Sequence, residues 1–242
     1  MIVLFTDFGA DDVYVGQLKA ALLERLPPGM AIVDLLHGVP RYQVRAGAHL
    51  LAALQSRFPA GAVFVAVVDP GVGTSRDAVV LQADDKWYVG PDNGLLSVVS
   101  ARATRSSASR IVWRPQGLSA SFHGRDLFAP VAALIAENTL PLDRLQRIEA
   151  LNVQLGPEDL PEVIYIDHYG NALTGLRACS VAPTATIAVR GHPLSYARVF
   201  AEVPLGGAFW YENSIGLVEI AANRASAAER LAIGVGDAIT LT

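Results

Sequence analysis

Two kinds of apolar pattern alternate along the first two thirds of this chain. Short, nearly unbroken apolar runs ("MIVLFT", "AIVDLLH", "AVFVAVV") have the length and β-branched content of strands buried on both faces of a parallel sheet. Between them lie longer segments with apolar residues at helical spacing. These are "DDVYVGQLKAALLERL", closed by Pro27-Pro28-Gly29, and "VRAGAHLLAALQSRF", closed by "PAG". After the loop "DPGVGTSR" the pattern predicts a strand pair in "AVVLQADDKWYVG". A helix follows near "DNGLLSVVS", and another in "RDLFAPVAALIAEN". Strands alternating with helices build right-handed βαβ units and a mostly parallel sheet.

The pattern changes near "LNVQLGPEDLPEVIYID", where Pro157 and Pro161 bracket a linker. Beyond it the apolar segments are short and separated by Gly, Pro and Asn: "EVIYIDHYGNAL", "ATIAVRG", "FAEVP", "AFWYEN", "GLVEIA" and "DAITLT". That spacing predicts a small antiparallel barrel or sandwich. The expected organisation is an α/β domain over residues 1–155 and a smaller β domain over residues 156–242, with no internal repeat.

Composition narrows the class. The chain has 242 residues, 52% of them hydrophobic, enough for two cores. Its longest apolar run, Ala60 to Val68, is far too short to span a bilayer as a helix, and no signal-peptide pattern opens the sequence. A cytoplasmic globular protein with no membrane partner is expected. The net charge of −4 lacks the basic footprint of a nucleic-acid binder. The single cysteine, Cys179, excludes an internal disulfide and any CxxC motif, and its setting predicts a buried packing thiol.

Chemistry-bearing residues gather in loops that follow the predicted strands, where open α/β sheets bind ligands. "TDFGADD" carries Asp7, Asp11 and Asp12. "HGVPRY" follows the second strand and ends on Tyr42; "DPGVGTSR" follows the third. The last is no P-loop, since no Lys-Ser/Thr ending follows its glycines. Its Asp69 and Arg76 either staple a turn or face a ligand. His123, in "FHGRD", has the ring suited to proton transfer, or else caps the apolar helix that follows. Asp126 suits the N-terminus of that helix. His37, His49, His168 and His192 are weaker candidates. In the second domain Asp167 and Asn171 flank a glycine turn, while Asn213, Ser214 and Glu219 lie in "YENSIGLVEIAAN". Such turns are also common in hairpins. Outside the opening stretch no residue spacing suggests a metal.

The opening aspartates resemble the calcium-binding start of nucleoside hydrolases, Asp-Thr-Asp-Pro-Gly-x-Asp-Asp. Here, however, Phe5 and Phe8 replace the first aspartate and the proline. A cage lacking an early carboxylate suits calcium poorly. A second resemblance runs through the whole chain. "TDFGADDVYVGQLKAAL", "VDLLHGVPRYQVRAGAHLL", "VFVAVVDPGVGTSRDAVVL", "YVGPDNGLL", "SFHGRDLFAPVAA", "IDHYGNALT" and "NSIGLVEIAAN" stand in the order found in the S-adenosyl-L-methionine (SAM) hydroxide adenosyltransferase family. That family is related to the fluorinating and chlorinating enzymes.

The resemblance implies an N-terminal α/β domain and a C-terminal β-barrel. It also implies a homotrimer with active sites between the N-domain of one subunit and the C-domain of the next. The implied reaction is hydrolysis of SAM to adenosine and methionine by attack of water or hydroxide on C5′, with no cofactor and no metal. Asp7 would bind the ribose hydroxyls, and Tyr42 would lie against the ribose and methionine. Asp69, Arg76 and His123 would form the hydrolytic set. Asp167 would hold the methionine ammonium and Asn171 an adenine edge, with Ser214 and Glu219 also touching substrate. Asp11 and Asp12 then cap and charge the first helix. Halogenating relatives do not have the aspartate of "DPGVG" or the histidine of "FHGRD", so a hydrolase is expected rather than a halogenase. The alternative from another class is a SAM- or adenosine-binding protein without turnover. Two departures, Gly175 and Ile215, bear on how the methionine carboxylate is held.

Overall fold

The computed structural model describes residues 1–241, which form two compact units, Met1–Pro157 and the chain from Glu158 onward. In the first unit the elements run β1 (Ile2–Thr6), α1 (Val13–Leu23), β2 (Ile32–Leu36), α2 (Val44–Leu54), β3 (Val63–Val67), β4 (Ala78–Ala83) and β5 (Lys86–Pro91). They continue with α3 (Ser97–Arg102), β6 (Ser106–Ile111), α4 (Ala129–Ala136) and β7 (Leu145–Ile148). The strands make one sheet of order β2-β1-β3-β5-β4-β6-β7. β2, β1, β3 and β5 pair in parallel, while the β5–β4, β4–β6 and β6–β7 pairs are antiparallel. Five of the seven strands therefore point the same way, a mixed sheet that is largely parallel.

The apolar runs of β1 and β3 are buried at every position, because helices cover the sheet. Ile2 and Leu4 join Val63, Val65 and Val67 in one core with Leu18 and Leu22 of α1 and the buried residues of α4. The predicted strand pair is a tight hairpin, in which Asp84, at φ 50°, and Asp85 join Ala83 to its partner Lys86. The helix expected over "RDLFAPVAALIAEN" opens instead as a π-turn over Gly124–Phe128. Pro130, in the first turn of α4, has no N–H to return to the turn before it. β6 and β7 carry no strand signal in the sequence: "SSASRI" and "LQRI" are too polar to signal a strand alone, and pairing with β4 holds β6 in place.

The second unit holds β8 (Leu160–Ile166), β9 (Ala172–Arg177), β10 (Ile187–Val189), β11 (His192–Leu194), β12 (Ala208–Glu212), β13 (Leu217–Ala222), the short helix α5 (Ala227–Leu231) and β14 (Ile239–Leu241). Their pairing bears out the antiparallel β character expected of this unit. There are two antiparallel sheets, β12-β13-β9-β8 and β11-β10-β14, around one core. Single bridges, Glu162 with Ala238 and Tyr196 with Trp210, are the only ladder contacts between their edges among the described residues. The strands β10, β11 and β14 are each three residues long.

Cys179 corrects a further expectation. It is exposed, in the turn Ala178–Ser180 after β9, where Ala178 takes the inward position. Gly175 is explained by packing. A Cβ there would come within 2.6 Å of Leu160 on the paired strand β8. Among the described residues no helix is long and apolar enough to cross a membrane.

Candidate active site

Asp7 leaves the carboxyl end of β1 and Asp69 the carboxyl end of β3, its neighbour in the sheet. Both line a cavity of about 430 Å³ together with Tyr42 and His123. Arg76 lies behind it. Its Nε donates to Asp69 Oδ1 at 2.8 Å, its Nη2 donates to Asp69 Oδ2, and Nη2 also reaches His123 Nδ1 at 3.0 Å. The guanidinium packs on the Phe128 ring at 5.4 Å, and Nη1 donates to the Asp77 carbonyl. The side chains of Asp69 and Arg76 are 5% and 10% exposed.

The Asp69–Arg76 pair does staple the turn. The staple also carries His123, which makes no capping bond at the helix start. Arginine can only donate, so the bond to His123 fixes Nδ1 as acceptor and leaves the ring proton on Nε2. Burial holds the His123 pKa below its ordinary 6.5, and the Arg76 charge pushes it the same way against the pull of Asp69. Asp126 serves structure. Arg125 grips it through Nε and Nη2, and the Ser119 N–H donates to it as well.

Gly73 shapes the turn. It sits at φ 80°, and a Cβ there would press into the carbonyl oxygen of Ala120. Gly73→Ala is expected to lower stability by more than about 2 kcal/mol, read as a shift of the urea midpoint. Neither atom of that clash belongs to a flexible side chain, so little relaxation is available.

The Asp7 carboxylate accepts the Tyr42 N–H at 3.2 Å. Tyr42 is in the left-handed region at φ 64°, a conformation unfavourable for an aromatic residue. Burial raises the Asp7 pKa, and the nearby Asp69 charge adds to this, while the Tyr42 amide and Arg41 pull it back. The three opening aspartates take different roles, although Asp12 lines the same cavity as Asp7. Asp12 caps α1, accepting the Val13 N–H at 2.6 Å, and Asp11 is exposed. Sequence reading missed the aromatic wall. Phe8, Tyr14 and Phe122 meet edge-on or tilted at 5.3–5.9 Å beside the carboxylates. In the sequence these rings look like ordinary core residues.

Asp167, Asn171, Ser214 and Glu219 line another cavity, of about 770 Å³, in the second unit. Asp167 Oδ1 accepts the Tyr169 and Asn171 amides, and its Oδ2 accepts Asn171 Nδ2 at 3.0 Å. Glu219 is 5% exposed and has a donor on each oxygen, the Tyr211 hydroxyl at 2.5 Å and Asn213 Nδ2 at 2.8 Å. Burial raises its pKa, and Asp167 adds to the rise while both donors oppose it. Asn213 Oδ1 in turn accepts the Ile215 and Leu217 amides, which shapes the turn that carries Ser214. Tyr211 was not singled out in the sequence, since its alternation in β12 reads only as a strand.

The N-terminal domain of SAM hydroxide adenosyltransferases matches residues 2–146, and the C-terminal domain matches residues 161–240. This chain belongs to the SAM hydroxide adenosyltransferase family. An (R)-S-adenosyl-L-methionine hydrolase of Thermus thermophilus is 39% identical to it, over 99% of this chain and 98% of the relative. One from Salinispora arenicola is also 39% identical, over 98% and 95%. The crystal structure of an uncharacterized conserved protein from Thermotoga maritima superimposes with a TM-score of 0.90 at 34% identity, covering all of both chains. The nine sequence-predicted site residues, from Asp7 to Glu219, all fall within the matched ranges.

Proposed function

We propose that this chain hydrolyses S-adenosyl-L-methionine to adenosine and L-methionine. The observation that carries the reading is the Asp69–Arg76–His123 chain at the wall of a cavity that also holds the Asp7 carboxylate. Water attacks C5′ as the C5′–S bond breaks. The bonding pair goes to sulfur, methionine departs as a neutral thioether, and one proton is released. The sulfonium needs no acid to leave, so the task is to hold a weak nucleophile in line. His123, with its proton on Nε2, donates to that oxygen and holds it in line with the C5′–S bond, and the proton that the oxygen loses passes to solvent. Arg76 fixes the tautomer and Asp69 fixes Arg76.

Asp7 accepts from the ribose hydroxyls, and Tyr42 lies over the ribose. In the other cavity Asp167 takes the methionine ammonium. Asn171, with its amide nitrogen already on Asp167, offers its carbonyl oxygen to the adenine amine. Ser214 contacts substrate from the turn that Glu219 organises through Asn213. Since the recognition groups divide between two cavities, self-association as a trimer would complete each site from two copies. Light scattering on the purified protein tests this, and a monomer that turns over substrate would refute it. The name of the hydrolase relatives suggests the (R) sulfonium epimer as substrate, which supplying each epimer separately would test.

Liquid chromatography of protein incubated with SAM, with and without chloride, tests the reaction. Adenosine and methionine in equal amounts, with no 5′-chloroadenosine, are expected. Two carboxylates at the cavity, Asp7 and Asp69, disfavour a bare halide there. Binding without products would instead make the protein a sensor. The pH profile is a further expectation. Protonation of His123 Nδ1 would set a cation against Arg76, so the neutral ring is the working form. The rate is therefore level at and above neutral pH and falls as pH drops through a midpoint below 6.5. An acid limb centred above 6.5 would contradict the assignment.

A further inference from the structure

His37 is 7% exposed and takes no part in the chemistry above, yet both of its ring nitrogens are engaged. Nδ1 lies 2.8 Å from the hydroxyl of Thr6, itself fully buried, and Nε2 lies 3.2 Å from Asp34 Oδ1. Asp34 Oδ2 accepts Lys19 Nζ of α1 at 2.8 Å. At the other end Thr6 Oγ1 accepts the Phe8 N–H at 3.3 Å, and the His37 carbonyl accepts the Gly9 N–H at 2.7 Å. The Thr6 carbonyl accepts the Val39 N–H at 3.2 Å.

These bonds all converge on one segment. Phe8 and Gly9 are where the chain leaves β1, so their amides have no strand partner, and Thr6 and His37 take both. The proton count is consistent with a single arrangement. Phe8 donates to Thr6, the Thr6 hydroxyl donates to His37 Nδ1, and His37 Nε2–H donates to Asp34. Asp7 lies between Thr6 and the anchored Phe8. Its carboxylate is not bonded to this chain, so the chain acts on the backbone that aims it.

We infer that Thr6 and His37 are positioning residues that set the Asp7 carboxylate for the ribose, with Asp34 and Lys19 bracing the ring from outside. The inference rests on the reading of Asp7 as the ribose acceptor. A purely structural role would weaken folding without selectively weakening the grip on the nucleoside. A positioning role acts through Asp7 and vanishes when Asp7 is gone.

The test is a double-mutant cycle read by calorimetric binding of adenosine, which needs no turnover, with steady-state hydrolysis of SAM beside it. Thr6→Val keeps the shape but strands the Phe8 amide and His37 Nδ1. It is expected to weaken adenosine binding and raise KM about tenfold, with kcat within about threefold, as loss of binding shared by ground and transition states. Thr6→Ser, which keeps the hydroxyl, should restore adenosine affinity to within about twofold, and Thr6→Val in an Asp7→Ala background should add nothing. Should Thr6→Val fail to fold, Asp34→Ala removes the brace at a half-exposed position. There an adenosine affinity about threefold weaker, absent in Asp7→Ala, is expected. Full adenosine affinity in the folded variant, or a loss that persists without Asp7, would overturn the inference. Failure of the wild-type protein to bind adenosine at all would instead strike at the proposed function.

Discussion

Arg76→Met is expected to cost about 3–5 kcal/mol of folding stability, because it leaves the Asp69 carboxylate buried without its counter-charge. Asp69 is 5% exposed on its side chain, and Arg76 supplies donors to both of its oxygens. Methionine can keep much of the packing on Phe128, so the loss reports the charge and not a cavity. Guanidinium unfolding of the two proteins gives the number. Adding Asp69→Asn to Arg76→Met should recover a large part of it, since the amide has no charge to strand. If Arg76→Met alone lost less than about 1 kcal/mol, the pair would be behaving as a solvated surface bridge.

His123→Ala should lower kcat by about 10²–10³-fold with KM changed less than about threefold, the scale for removing one preorganised donor to the attacking oxygen. The ring touches the reaction on one side only. On the other, Arg76 and Asp69 remain bonded to each other and the turn stays closed, so adenosine should bind as before. Single-turnover chromatography separates the chemical step from product release. The acid limb of the pH profile should disappear with the ring. A variant within about threefold of wild-type kcat would remove His123 from the reaction and leave the water to Asp69 and Arg76.

Most of the framework was legible from pattern. The apolar runs of β1 and β3, the tight Asp84-Asp85 hairpin and the cap at Asp12 each follow from local rules of burial, turn geometry or orphan amides. Where pattern misled, the deciding term was nonlocal. β6 is a strand because β4 offers it a ladder, although its serines carry no apolar signal. Cys179 sits outside because one inward position was available in its turn and Ala178 filled it. The two sheets of the second unit meet only through single bridges among the described residues, a pairing set by the folded chain.

The site divides in the same way. Sequence by itself determined the family, the loops that bear Asp7, Asp69, Arg76 and His123, and the residue types that suit hydrolysis. It left open whether Asp69 and Arg76 close a turn or serve a ligand, and whether His123 caps a helix. Only the tertiary structure decided that the pair closes the turn while Arg76 also holds His123, and that His123 makes no capping bond. The Arg76–His123 bond joins residues 47 positions apart, and the Thr6–His37 bond joins residues 31 apart. Periodicity and turn chemistry act over a few residues. Which distant loops meet is set by strand order in the sheet, and with it the tautomer of His123 and the aim of Asp7.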